Sequence, residues 1–157
     1  MPTVATMAKI IAAAELECLH AESSLARVPT TGGAIARAAA EVGAIVGATA
    51  LVAFTMSGET ARRLARYRSP IPLLAFTALP ATRSQLALSW GVETFIVPPV
   101  RHTDEMVQQV ETALIETGRC QKGDKVVIVA GSPPGTPGKT NALRVHRIAD
   151  AIAGAVT

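Results

Sequence analysis

Apolar positions along this chain recur with two alternating periods, one helical and one of strand length. From Thr3 to about Leu25 the spacing is helical, with Val4, Ala8, Ile11 and Cys18 near one face and Glu15, Glu17 and Glu22 off it. Pro29 and Gly32-Gly33 read as punctuation. A second helix follows, carrying Ile35, Ala39, Val42 and Val46 at i, i+4, i+7 and i+11. Thr49–Phe54 is an apolar run of strand length, succeeded at once by Ser57-Gly58-Glu59-Thr60 and a helix bearing Leu64 and Tyr67 that Pro70 and Pro72 end. Leu73–Phe76 is the next strand, and Pro80 opens a helix that Gly91 closes. Thr94–Val97 is a third strand, halted by Pro98-Pro99. Thr103 reads as the cap of a helix with Asp104 and Glu105 in its first turn and Met106, Val110, Ala113 and Leu114 on its apolar face, stopping at Gly118. Lys125–Ala130 is a fourth strand, and Leu143, Val145 and Ile148 mark a weaker fifth beyond the Gly/Pro-rich loop Gly131–Gly138.

Strands alternate with helices, and each strand is apolar at nearly every position. Such strands are buried on both faces, so the pattern predicts a mostly parallel sheet of about five strands in a three-layer α/β/α domain. At 157 residues the chain has room for one such domain, with residues 1–28 as an N-terminal helix. Hydrophobic residues at 49% against 17% charged exclude disorder. Charge or Gly interrupts every apolar run within about a dozen residues, short of the ~20 needed to span a membrane. Lys9 and Glu15 break up the first apolar stretch, which therefore does not read as a signal peptide. A soluble, cytoplasmic protein is expected.

Net charge is +3, and five arginines lie between Arg62 and Arg83, so the positive charge is local. A local patch suits a small anion better than a nucleic acid, which calls for a long basic stripe with interleaved aromatics. Cys18 and Cys120 lack CxxC spacing and have no neighbouring His at metal-ligand distance, as expected of free cytosolic thiols.

Two segments are candidates for binding phosphate. At Thr55-Met56-Ser57-Gly58-Glu59-Thr60 a strand gives way to a helix, whose first N–H groups lack internal partners and carry the positive end of the macrodipole. Thr55, Ser57, Gly58 and Thr60 could converge hydroxyls and backbone donors on one phosphate. Ser57 also reads as an ordinary N-cap, contributing about 1 kcal/mol in that role. In open α/β sheets ligands favour the carboxyl ends of strands, where this loop lies. The second segment, Gly131 to Thr140, approaches the G-x-x-x-x-G-K-T phosphate loop but has Pro133 where the pattern requires Gly. Its three prolines remove backbone donors, which argues against nucleotide hydrolysis. His20, His102 and His146 have no flanking nucleophile signature, and Asp104, Asp124 and Asp150 lack metal-ligand spacing. The cluster Arg62, Arg63, Arg66 and Arg68 could line an anion site or form an exposed helix face.

Three segments together resemble the C-terminal domain of pyruvate kinase across nearly the whole chain. The first runs from Thr3-Val4-Ala5-Thr6-Met7 to Glu15. The second is Phe54-Thr55-Met56-Ser57-Gly58-Glu59-Thr60-Ala61 with the Arg-rich helix and Pro70-Ile71-Pro72. The third comprises Leu88-Ser89-Trp90-Gly91-Val92, Gly123-Asp124, and Gly131 to Asn141 with Leu143-Arg144-Val145. The wording is similar to bacterial, actinobacterial-type members.

The resemblance implies a regulatory and oligomerisation domain detached from a catalytic (β/α)₈ barrel, as a fragment with an added Met1. Phosphoenolpyruvate, ADP, magnesium and potassium would bind only in that barrel, so this chain would hold no cofactor and catalyse nothing by itself. The implied partners are the barrel, a second copy of the domain, and a phosphorylated effector such as fructose 1,6-bisphosphate, glucose 6-phosphate or AMP. By the same resemblance, Thr55, Ser57, Gly58 and Thr60 would hold the effector phosphate, and the loop from Ser132 to Gly138, with Gly135 and Thr136, would close over it. Met56 stands where the family sometimes has a basic residue, and prolines replace the Trp and Arg that grip a second phosphate. A sugar monophosphate or AMP is thereby favoured over a bisphosphate. The rival readings are a free-standing phosphometabolite-binding protein of the same fold and a small α/β enzyme with an unrecognised site.

Overall fold

A computed structural model describes residues 2–18, 29–134 and 139–149. Its elements, in chain order, are α1 (Pro2–Cys18), α2 (Thr31–Val46), β1 (Ala50–Phe54), α3 (Glu59–Ala65), β2 (Leu73–Thr77), α4 (Pro80–Leu86), β3 (Val92–Ile96), α5 (Thr103–Glu116), β4 (Lys125–Ala130) and β5 (Ala142–Arg147). The strands form one sheet in the order β3-β2-β1-β4-β5. The first four run parallel, and β5 closes the edge antiparallel to β4, with Val127 opposite Val145. The sequence thus predicts the class of the fold, a five-stranded and mostly parallel α/β sheet.

Every residue of β1 and β2 is buried, as are Val126 to Ala130 of β4. Alternation along these strands splits the core in two. One face carries Leu51, Ala53, Leu73, Ala75, Val127 and Val129 against Ala36 and Ala39 of α2, Ala61 and Leu64 of α3, and Leu86 of α4. The other carries Val52, Phe54, Leu74, Phe76, Val126 and Ile128 against Met106, Val107, Val110 and Leu114 of α5. Small residues on α2 bring its backbone close to the sheet. A Cβ on Gly43 would stand 2.8 Å from Leu51 Cδ2. The α5 layer is filled instead by long side chains and by the stacked pair Phe76 and Phe95, 4.9 Å apart.

Several boundaries differ from those expected. Gly32 and Gly33 do not break the chain but lie in the first turn of α2, buried, because Thr30 Oγ1 accepts from Gly33 N at 3.1 Å and caps the helix there. The N-cap of α5 is His102 rather than Thr103, which is already helical, and the His102 side chain makes no cap bond. The first-turn Glu105 accepts from Arg101 N at 3.1 Å instead. Helix α4 ends at Leu86, before Gly91, and α1 is described only to Cys18, so its expected continuation to Leu25 lies outside the described residues. Val4, Met7, Ile10 and Ile11 of α1 are all exposed.

Position in the sheet should decide the cost of truncation. Ile128, 2% exposed at the centre of the core, should lose about 2–5 kcal/mol on change to Ala. Leu88, 93% exposed, should lose no more than about 0.5 kcal/mol. Urea unfolding of the two variants checks the contrast.

Candidate functional site

The sheet order places β1 between β2 and β4, so the chain leaves β1 toward one edge and returns later to build the other. β1 is followed by α3 and β4 by the antiparallel strand β5, so their loops leave neighbouring strands at the carboxyl edge of the sheet, where α/β sheets take ligands. Helix α2 leads into β1, which brings its amino end to the same edge of the sheet.

The loop after β1 is held on three sides. Thr55 Oγ1 accepts from Gly58 N at 3.0 Å, Thr82 Oγ1 of α4 donates to Met56 O at 2.7 Å, and Arg62 Nη2 donates to Ser57 O at 2.8 Å. The N-cap of α3 is Gly58, in the left-handed region at φ 79°, with no side-chain cap bond. The reading of Ser57 as N-cap is therefore wrong. Gly58 adopts a backbone angle that costs other residues about 1–2 kcal/mol, and the cap shifts by one position. Ser57 is exposed, and its hydroxyl has no partner among the described residues. The first intrahelical bond runs from Arg62 N to Gly58 O at 3.0 Å, which leaves the amides of Glu59, Thr60 and Ala61 at the open end of α3.

Thr60 is 5% exposed, and its Oγ1 lies 2.8 Å from Thr140 Oγ1, joining the first turn of α3 to the end of the loop after β4. Arg63 Nη1 also reaches Thr140 Oγ1, at 3.4 Å, while its Nε pairs with Glu59 Oε1 at 3.4 Å. A Cβ on Gly32 would stand 2.2 Å from Arg63 Nη1, so the start of α2 closes the same corner. Asn141 clasps the base of the second loop. Its Oδ1 accepts from Ser132 N at 2.6 Å, and its Nδ2 donates to Ser132 O at 2.9 Å. The Ser132–Pro133 peptide is cis.

The structure thus brings Thr55, Ser57, Gly58 and Thr60 into one loop and helix start, with Ser132 at the base of the neighbouring loop. Gly135, Thr136 and Gly138 lie outside the described residues. Asn141 and Gly32 are not among the site residues expected from sequence, Thr140 is expected only as the end of the second candidate segment, and Arg63 only as one of four arginines that could line an anion site. Thr140 and Asn141 do stand directly after the Gly/Pro-rich loop, which is a usable signal. The meeting of Arg63 with Gly32 joins sequence-distant helices and leaves none.

Cys120 is a free thiol, 4% exposed, and burial pushes its pKa up to about 11, with Asp124 adding to the rise. It is a poor nucleophile at neutral pH. Among the described residues no three His, Cys, Asp or Glu side chains are grouped to hold a metal ion. No helix among them is long and apolar enough to cross a membrane.

Residues 33–146 match the family model for the pyruvate kinase alpha/beta domain. The chain belongs to the pyruvate kinase family. It is 54% identical over 151 residues to the pyruvate kinase of Mycobacterium tuberculosis, covering 96% of this chain and 32% of that protein. Against the pyruvate kinase of Corynebacterium glutamicum the identity is 46% over 148 residues, covering 94% and 31%. Among solved structures it resembles Cryptosporidium parvum pyruvate kinase in complex with ADP, with a TM-score of 0.71 and 27% identity over 80% of this chain and 25% of that one. The chain therefore spans about a third of the length of the curated relatives it matches. The sequence resemblance to the C-terminal domain of actinobacterial pyruvate kinases is borne out.

The hydrogen bonds of the first loop separate its two hydroxyls. Thr55→Val leaves Gly58 N without its partner in a buried loop and should cost about 1–3 kcal/mol. Ser57→Ala, without ligand, should change stability by no more than about 0.5 kcal/mol. Chemical denaturation of the unliganded variants checks both.

Proposed function

We propose that this domain of pyruvate kinase binds a phosphorylated effector in the crevice between the loops after β1 and β4, and that it is regulatory rather than catalytic. The observation that carries the reading is the Thr60–Thr140 bond at 2.8 Å, which closes the two loops on each other at the sheet reversal. The phosphate would meet the amides of Glu59, Thr60 and Ala61 and the free hydroxyl of Ser57. The carbonyls of Met56 and Ser57, which would repel it, are already occupied by Thr82 and Arg62. A carboxylate or phosphate in that position gains from charge-assisted bonds about twice as strong as neutral ones. A sugar monophosphate or AMP fits the reading better than a bisphosphate, because the proline-rich second loop offers no cation between Ser132 and Gly138.

A ligand that binds only the folded state stabilises it by about 2.7 kcal/mol at a hundredfold excess over its Kd. Glucose 6-phosphate or AMP should therefore raise the melting temperature of the wild-type chain, and Ser57→Ala should remove most of that rise. The reading falls if neither compound shifts the transition, or if the variant responds as the wild type does.

The phosphoryl-transfer chemistry of the whole enzyme, with its phosphoenolpyruvate, ADP, magnesium and potassium, is assigned to the part of pyruvate kinase that this chain does not match. Self-association is part of the same proposal. Among the described residues the outer edge of β5 is unpaired in the sheet, and Val145 on it is exposed, as are the apolar residues of α1. Unpaired edges and apolar faces of this kind associate. Light scattering should give the mass of a dimer, and a monomer at millimolar concentration would refute it. A coupled assay with all four components should stay at background.

A further inference from the structure

A second cationic groove borders α3 on the side that carries Arg62, away from Arg63 and Thr140. It has a volume of about 330 Å³ and is lined by Arg62, Ala65, Arg66, Arg68, Ser89 and Trp90. Residues 62 and 66 are one helical turn apart and share a face, whereas Arg63 points to the crevice already described. Like charges at that spacing disfavour a helix. Arg62 is offset by Glu59 at 3.5 Å, but Arg66 and Arg68 have no carboxylate partner among the described residues. Arg68 also holds a φ of 44°, in the left-handed region that side chains other than Gly, Asn and Asp rarely adopt. Its guanidinium lies over the Trp90 ring, 5.0 Å from the centroid. The hydroxyl of Ser89 has no partner among the described residues, and Glu15 of α1 accepts from the indole Nε1 at 2.6 Å.

Strain of this kind persists where the surroundings impose it, commonly at sites that bind. Two uncompensated guanidinium forks match the oxygens of a phosphate, a free hydroxyl adds a donor, and Ala65 and the indole offer apolar surface to an organic body. We propose that this groove is a second anion site, which takes the phosphate of a small organic phosphomonoester on Arg66 and Arg68. It is independent of the crevice at Ser57 and Thr60, with Arg62 the one side chain that borders both.

Trp90 is the single tryptophan of the chain, so its fluorescence reports on this groove and not on the crevice. Inorganic phosphate, a hexose monophosphate and a nucleoside monophosphate should each change the emission saturably at constant ionic strength. The organic esters should bind more tightly than phosphate if the apolar wall contributes. Arg66→Gln, at an exposed position that should leave folding intact, should weaken the response at least tenfold, while Ser57→Ala should leave it unchanged. Circular dichroism would verify that the variant is folded. The proposal is overturned if chloride at matched ionic strength gives the same change, if Arg66→Gln binds as the wild type does, or if Ser57→Ala abolishes the response. The last outcome would mean that Trp90 senses the crevice alone. A melting-temperature rise lost in Ser57→Ala alongside an intact fluorescence response separates the two sites.

Discussion

The arrangement depends on burying β1 and β4 side by side, on both faces, in a parallel sheet. Neither strand has a polar face to turn to water, so helices must cover both sides, and every connection between parallel strands must cross over. Because β1 lies inside the sheet, the chain has to wind first toward β2 and β3 and then back across to β4. That reversal places the loops after β1 and β4 side by side at the carboxyl edge of the sheet. The crevice is therefore a consequence of how the strands bury themselves, and the Thr60–Thr140 and Asn141–Ser132 contacts are the polar groups that line it.

The two faces of the sheet solve the covering problem differently. Alanine and glycine on α2 let its backbone approach β1 and β4, so that Gly32 comes within reach of Arg63 and Thr140. On the other face α5 stands off on Met106, Val107, Val110 and Leu114, and the aromatic pair Phe76 and Phe95 fills the depth. Close packing on the α2 side fixes the crevice, since a larger residue at Gly32 would push Arg63 aside. The α5 side carries instead a polar tether, in which Glu111 lies 2.7 Å from His146 and accepts from Ala149 N at 2.9 Å. These bonds hold the edge strand β5 and Ala149 onto the domain.

Much of this was legible in the sequence wherever burial alone decides. The uninterrupted apolar runs of β1, β2 and β4 mark strands covered on both faces, and their alternation with helices fixes the class of fold. Where local backbone geometry decides, the sequence was ambiguous. Ser57 and Gly58 are both acceptable N-caps, and the bond from Gly58 N to Thr55 selects Gly58 by turning its φ positive. Gly32 and Gly33 read as a break because glycine is a poor helix former. Gly32 instead admits Arg63 and Thr140, residues 31 and 108 positions further on, and no local pattern announces such an approach. The residues that carry the resemblance did mark the crevice, since both its loops lie within them, but it is the fold that brings Thr60 and Thr140 together.

Helix α3 shows how few residues can separate two electrostatic environments. It has seven residues, about two turns, and its arginines at 62 and 63 diverge by roughly 100° around the axis. One turns to Thr140 and Gly32, and the other to Ser57 O and the wall of the groove at Trp90. The carbonyl that Arg62 holds belongs to the loop whose amides face the crevice. Its position thus determines both how much positive charge the groove contains and how the Ser57 carbonyl is satisfied. An arginine serves both ends because its fork carries five donors on a planar group, whereas a lysine would bring one ammonium to only one of them. Conformational freedom in this short helix is limited further by Glu59, which pairs with both Arg62 and Arg63, at 3.5 and 3.4 Å. One carboxylate at the amino end of α3 thus fixes the division of charge between its two sides.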